Sequence, residues 1–241
     1  MIPSGDSTTT LHKTRLRNTT LWAIFSLCYF YISRTVGTLF PTLYQNITVA
    51  QFSEILSVLG SLILALFFVF FLTDYARSSQ PQLRNAAVAA IIGSTLLVLL
   101  RIKGLFILFG GLAQLLERMS SSLADLVWSQ GVGVALSLIG SLFIVFFFIV
   151  FRGKVDRATQ PKLKKAVRFA VIGSLIGALI QTLALFNYVL LRQLGFFLSN
   201  PKTAVSVLFP IVTIAFALTL YFYIVFYRLQ NEGNVRAEHA V

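Results

Sequence analysis

Apolar residues run along this chain in blocks of twenty or more, parted by short polar stretches, at 19–40, 53–74, 84–107, 130–151, 166–191 and 205–228. A hydrocarbon core about 30 Å thick is spanned by about 20 helical residues rising 1.5 Å each. The blocks lack the period-2 alternation of a membrane barrel, and a helix satisfies its own backbone hydrogen bonds in lipid. The pattern predicts an all-α integral membrane protein with six transmembrane helices. Residues 1–18 and 229–241 read as polar tails around a membrane domain at 19–228.

The blocks are not independent of one another. Residues 55–94 and 135–174, eighty apart, are identical at 17 of 40 positions without a gap. The polar matches carry the comparison: Ser57/Ser137, Gly60/Gly140, Ser61/Ser141, Arg77/Arg157, Gln80/Gln160, Pro81/Pro161, Gly93/Gly173 and Ser94/Ser174. "YIVFY" at 223–227 answers "FIVFF" at 143–147 at the same interval, and Pro41 and Pro201 lie two intervals apart. Such a period points to repeated units. They are three two-helix units, at about 1–80, 81–160 and 161–241. Two helices per unit make the units parallel, about an axis near the membrane normal.

Residues 84–117 exceed one span and contain Arg101 and Lys103. The run 104–116 is too short for a further crossing, which needs about seventeen residues, and reads as a helix extension or an interfacial segment. With six spans, Lys13, Arg15, Arg17, Arg77, Arg84, the seven cations of 152–168, Arg228 and Arg236 share one side. Arg34, Arg118, Arg192 and Lys202 mark the other. The positive-inside bias then places both termini in the cytoplasm, in a plasma (inner) membrane. The twin phrases "RSSQPQLRNAA" and "RATQPKLKKAV" become two cytoplasmic turns, each proline opening a helix where its missing N–H costs nothing.

Composition agrees. The chain has 241 residues, 57% hydrophobic and 12% charged, against about 25% charged in soluble domains. The net charge of +12 reads as orientation against the inner leaflet, since no aqueous domain exists to present it to nucleic acid. No cleavable leader is expected, because the first twenty residues are polar. Asn18-Thr19-Thr20 and Asn46-Ile47-Thr48 match the glycosylation sequon, a tripeptide common by chance.

Small residues recur at spacing four and predict close-packed hairpin seams. Ser57, Ser61, Gly133, Ser137 and Ser141 would face Ala90, Ser94, Ala170, Gly173, Ser174 and Gly177. Phe67, Phe68, Phe71, Phe147, Phe148 and Phe151 read as lipid-facing or as filler between helices.

Chemistry-bearing residues are sparse. His12 and His239 lie in the tails, Cys28 is alone, and no acids pair at i, i+3 or i+4 within a span. No catalytic triad, CxxC, HExxH or phosphate-loop pattern occurs, so neither an enzyme nor a metal or cofactor site is expected. Arg101 and Lys103 are the best candidates for function, because cations within a span are costly. They could snorkel to the headgroups, or meet Asp125, Glu117 or an anionic ligand. Two functions follow. One is a structural or assembly subunit packing against other membrane proteins or against itself. The other is a small transporter or channel for an anionic or apolar solute. An unwound stretch at "RIKG", 101–104, would favour the transporter.

Overall fold

The computed structural model describes residues 7–76, 81–108, 130–186 and 201–238, and every regular element among them is helical. Helix α1 spans Ser7–Leu39 and is followed by a short 3-10 turn, Pro41–Gln45. Helix α2, Ile47–Phe70, runs on into a π-helical turn, Phe71–Tyr75. Then come α3 (Pro81–Leu108), α4 (Gln130–Lys154), α5 (Pro161–Phe186) and α6 (Pro201–Glu238). Local chemistry explains several ends. Pro81 and Pro161 open α3 and α5 as the sequence predicts. The Asn46 side chain caps α2 by accepting the Thr48 and Val49 N–H groups at 3.0 and 3.4 Å. That cap gives one sequon asparagine a structural reason to be there.

Among the described residues five helices are long and apolar enough to cross a membrane: Ile47–Tyr75, Pro81–Leu105, Val132–Lys154, Pro161–Leu183 and Phe209–Glu232. The protein is a polytopic helical membrane protein. Helix α1 departs from the sixfold expectation, because serine, threonine, tyrosine and Arg34 dilute its apolar run. It nevertheless lies antiparallel along α6. Arg17 Nη1 donates to Asn231 Oδ1 at 3.4 Å, the Thr20 hydroxyl lies 3.4 Å from Gln230 Oε1, and the Tyr31 and Thr213 hydroxyls are 3.0 Å apart.

Each helix packs against its neighbours in the chain, and α1 against α6 closes the ring. The centre is filled at the end where α2 gives way to α3 and α4 to α5, here called the hairpin end. Phe67, Phe68 and Phe71 of α2 and its π turn, Phe147, Phe148 and Phe151 of α4, and Phe222 and Phe226 of α6 are all buried there, with Tyr223. The rings meet edge to face: Phe68 with Phe147 at 5.1 Å, Phe71 with Phe151 at 5.1 Å, Phe148 with Phe222 at 5.0 Å, and Phe67 with Tyr223 at 4.9 Å. Such pairs add about 0.5–1.5 kcal/mol each beyond the area they bury. Ala86, Ala87, Ala90, Ala166 and Ala170 of the odd helices belong to the same buried cluster, and their small size leaves room for the rings.

Of the two roles open to these phenylalanines, lipid-facing surface or filler between helices, the structure gives them the second, at the centre of the bundle. "FYIVF" at 222–226 packs against "FFIVF" at 147–151, with Phe222 on Phe148 and Phe226 on Phe151.

Candidate functional site

The candidate cations sit at the end of the bundle opposite the aromatic cluster. Helix α3 continues unbroken through 101–104 to Leu108, so "RIKG" is not an unwound stretch. Residues 109–116 of the proposed extension lie outside the described residues, as do Glu117 and Asp125. Arg101 is exposed, and its guanidinium carbon stands 5.9 Å from the centroid of the Phe30 ring on α1. A cation over an aromatic face gains about 0.5–1 kcal/mol at an exposed site. Lys103 is half-buried.

Among the described residues, an acid that the sequence does not single out, Glu54, lies against this stretch. Glu54 of α2 lies against Gly104, and a Cβ added to that glycine would fall 2.7 Å from Glu54 Oε1. Only a residue without a side chain lets the carboxylate approach the α3 backbone this closely. A signal existed in the sequence. Glu54 stands seven residues into α2, and Arg101 seven before the end of α3. Antiparallel neighbours bring such positions level. Beside Glu54, the Tyr29 hydroxyl donates to the Ser53 carbonyl at 2.8 Å, and the Ser33 and Ser53 hydroxyls are 3.0 Å apart. The cluster therefore joins α1, α2 and α3 through charged, hydroxyl and aromatic groups.

The small-residue positions divide among different neighbours. A Cβ on Gly60 would meet Phe30 and Ser26 of α1, one on Gly93 the Gly140 carbonyl of α4, and one on Gly173 the Ala215 carbonyl of α6 at 2.6 Å. Among these predicted small-residue positions, the tight glycine approaches thus fall at α1/α2, α3/α4 and α5/α6, whereas the close approach within the α2/α3 hairpin is that of Gly104 to Glu54. Gly133 looks towards Leu100 of α3, and a Cβ on Gly177 would meet nothing within 4 Å. Ala90 and Ala170 are buried in the aromatic cluster. Ser137 and Ser141 are half-buried.

The hydroxyls of Ser57, Ser61, Ser94 and Ser174 turn back onto carbonyls of their own helices, those of Ser53, Ser57, Ile91 and Val171, at 2.8–3.1 Å. Among the described residues no group of three His, Cys, Asp or Glu side chains could hold a metal ion.

The chain matches no known family, curated protein or solved structure.

Proposed function

We propose that this protein is a non-enzymatic structural or assembly subunit, which packs against other membrane proteins or against itself. The observation that carries the reading is the aromatic closure of the ring. Phenylalanines from α2, α4 and α6 interlock across the centre, and among the described residues the large side chains buried there are aromatic, with Tyr223 the one that carries a hydroxyl. Serine hydroxyls satisfied by their own helices support packing over a polar path. The continuity of α3 through 101–104 supports the same reading. In this reading both termini and the basic hairpin turns face the cytoplasm from a plasma (inner) membrane, and the basic loops rest on the inner leaflet.

The test is native purification in mild detergent. Stoichiometric co-purification of defined membrane proteins, or a stable homo-oligomer, is expected. A lone monomer that moves chloride or phosphate into proteoliposomes overturns it.

A second reading, a small transporter for an anionic or apolar solute, is favoured by the Glu54, Arg101 and Lys103 group gathered at the end opposite the aromatic closure.

A further inference from the structure

The two hairpin turns share a phrase but not a charge. Residues 72–88 hold two cations, Arg77 and Arg84, and one acid, Asp74. Residues 152–168, eighty positions on, hold seven cations and one acid, Asp156. Four of the added cations, Arg152, Lys162, Lys165 and Arg168, stand where the first copy has Leu72, Gln82, Asn85 and Val88. A demand for orientation alone does not explain this contrast, because both turns lie at the same end of the bundle. The second turn carries something the first does not.

The structure shows how these cations are deployed. Lys164, which stands where the first copy has Arg84, is already engaged, its ammonium donating to the Arg152 and Val155 carbonyls at the end of α4. Arg152, Lys162, Lys165 and Arg168 are exposed. Lys165 Nζ stands 5.7 Å from the Phe169 ring centroid. The acid of this turn, Asp156, is occupied within the turn itself. Asp156 Oδ1 accepts the Ala158 N–H at 3.1 Å and Oδ2 the Thr159 hydroxyl at 3.2 Å.

Lys165 and Arg168 also head an outward stripe of α5 that continues, in helical register, through Ile172, Leu175, Leu179 and Leu183, which are 39–59% exposed. On α4 the outward stripe Leu142, Phe146 and Ile149 runs into Arg152 in the same way. Cationic heads thus stand directly above two adjacent apolar tracks.

We propose that the α4–α5 turn is a binding site for an anionic phospholipid. Its phosphate lies among Arg152, Lys162, Lys165 and Arg168, and its acyl chains lie along the outward stripes of α4 and α5. Charge complementarity selects the headgroup. The continuity of charge and apolar surface on one helix face selects a lipid over an acidic protein, which has no chain to lay on Ile172 and Leu175. The proposal rests on the membrane-spanning architecture and is independent of the structural-subunit reading.

The test uses the full chain, purified in neutral detergent and exposed to equal amounts of phosphatidylglycerol and phosphatidylcholine with identical acyl chains. Bound lipid is read by native mass spectrometry and by the shift in melting temperature. The wild type is expected to retain phosphatidylglycerol selectively. The K165N/R168V double variant, made at exposed positions, is expected to bind it about thirty-fold more weakly, the factor for two surface cations at about 1 kcal/mol each. R84Q, in the other hairpin, should retain it fully. A melt in phosphatidylcholine alone reports the fold, and R152L/K162Q serves as the second variant should the first unfold. Equal retention of both lipids by the wild type overturns the proposal, as does undiminished phosphatidylglycerol binding by the folded variants. Inorganic phosphate stabilising the protein as much as the lipid does would also overturn it.

Discussion

Where α3 crosses α4, Gly93 and Gly140 face one another, and a Cβ on Gly93 would lie 2.5 Å from the Gly140 carbonyl oxygen. The reverse substitution would bring a Cβ within 2.8 Å of the Gly93 carbonyl. Both obstacles are backbone, which cannot swing aside as a side chain can. In lipid, where apolar tails compete equally for apolar surface, close backbone approach is a main source of helix attraction. Gly93→Leu and Gly140→Leu should each destabilise the detergent-solubilised protein by about 1–3 kcal/mol or more. Gly177→Leu enters open space and should leave the melting temperature unchanged. Equal losses at all three positions would mean that the α3/α4 crossing has no special role.

The aromatic cluster gives the opposite experiment, removal in place of insertion. Phe148 is 1% exposed and meets Phe222 at 5.0 Å and Phe147 at 5.2 Å. Phe148→Ala should cost about 3–5 kcal/mol through the cavity it leaves. Phe148→Leu should cost less but still measurably, since it removes an edge-to-face partner. Phe146, two residues away and 46% exposed, should tolerate leucine. Thermal melts of the three variants decide it, and a neutral Phe148→Leu would return that ring to the role of lipid-facing filler.

Phe148 also shows how far the sequence could be read. The number of helices, their approximate bounds and the proline openings follow from apolar run length and local caps, which are properties of single segments. Which face of a segment turns inward does not. A helix apolar all round has no polar face to mark its lipid side, so Phe146 and Phe148 look alike until neighbours are placed around them. The same holds for Gly173 and Gly177, a spacing-four pair of which only the first meets another backbone. Glu54 is not legible as part of a site, because a lone acid near a helix start does not announce its neighbour, and Gly104, which makes room for it, lies fifty residues on.

The α4–α5 turn makes a pH-dependent prediction. The Ala158 N–H, with further help from the Thr159 hydroxyl and N–H, holds the Asp156 carboxyl below the usual carboxylate range. A depressed carboxyl contributes its stability in full above the unfolded value, about 3.9, and loses it as pH falls through the lower folded value. The melting-temperature gap between wild type and Asp156→Asn should therefore be constant above about pH 5 and close below that. Lys164→Gln, which removes the ammonium from the α4 carbonyls, should lower stability by about 0.3–1 kcal/mol with no such acid transition. A gap that widens as pH falls would contradict the assignment to Asp156.

The remaining prediction separates the two functions at the far end of the bundle. Arg101 is exposed with its guanidinium over Phe30, and Glu54 is seated against Gly104. If these groups only anchor α1, α2 and α3 at the interface, the shape of the cation matters little. A lysine at 101 keeps the charge within reach of the headgroups and of the ring. If they bind a carboxylate or phosphate solute, the planar fork matters and lysine fails where arginine succeeds. Glu54 then matters for its charge as well, since it would set how strongly the neighbouring cations attract the solute. The measurement is complementation of a deletion strain by Arg101→Lys, Arg101→Ala and Glu54→Gln, with membrane expression matched. The structural reading expects Arg101→Lys and Glu54→Gln to rescue fully, and Arg101→Ala to rescue with a small loss of thermal stability. Failure of Arg101→Lys at normal expression and an unchanged melting temperature would leave the fold intact and the activity gone. That combination, with co-purification of partners or self-association unchanged, counts heavily against a subunit that only packs and favours the transporter reading.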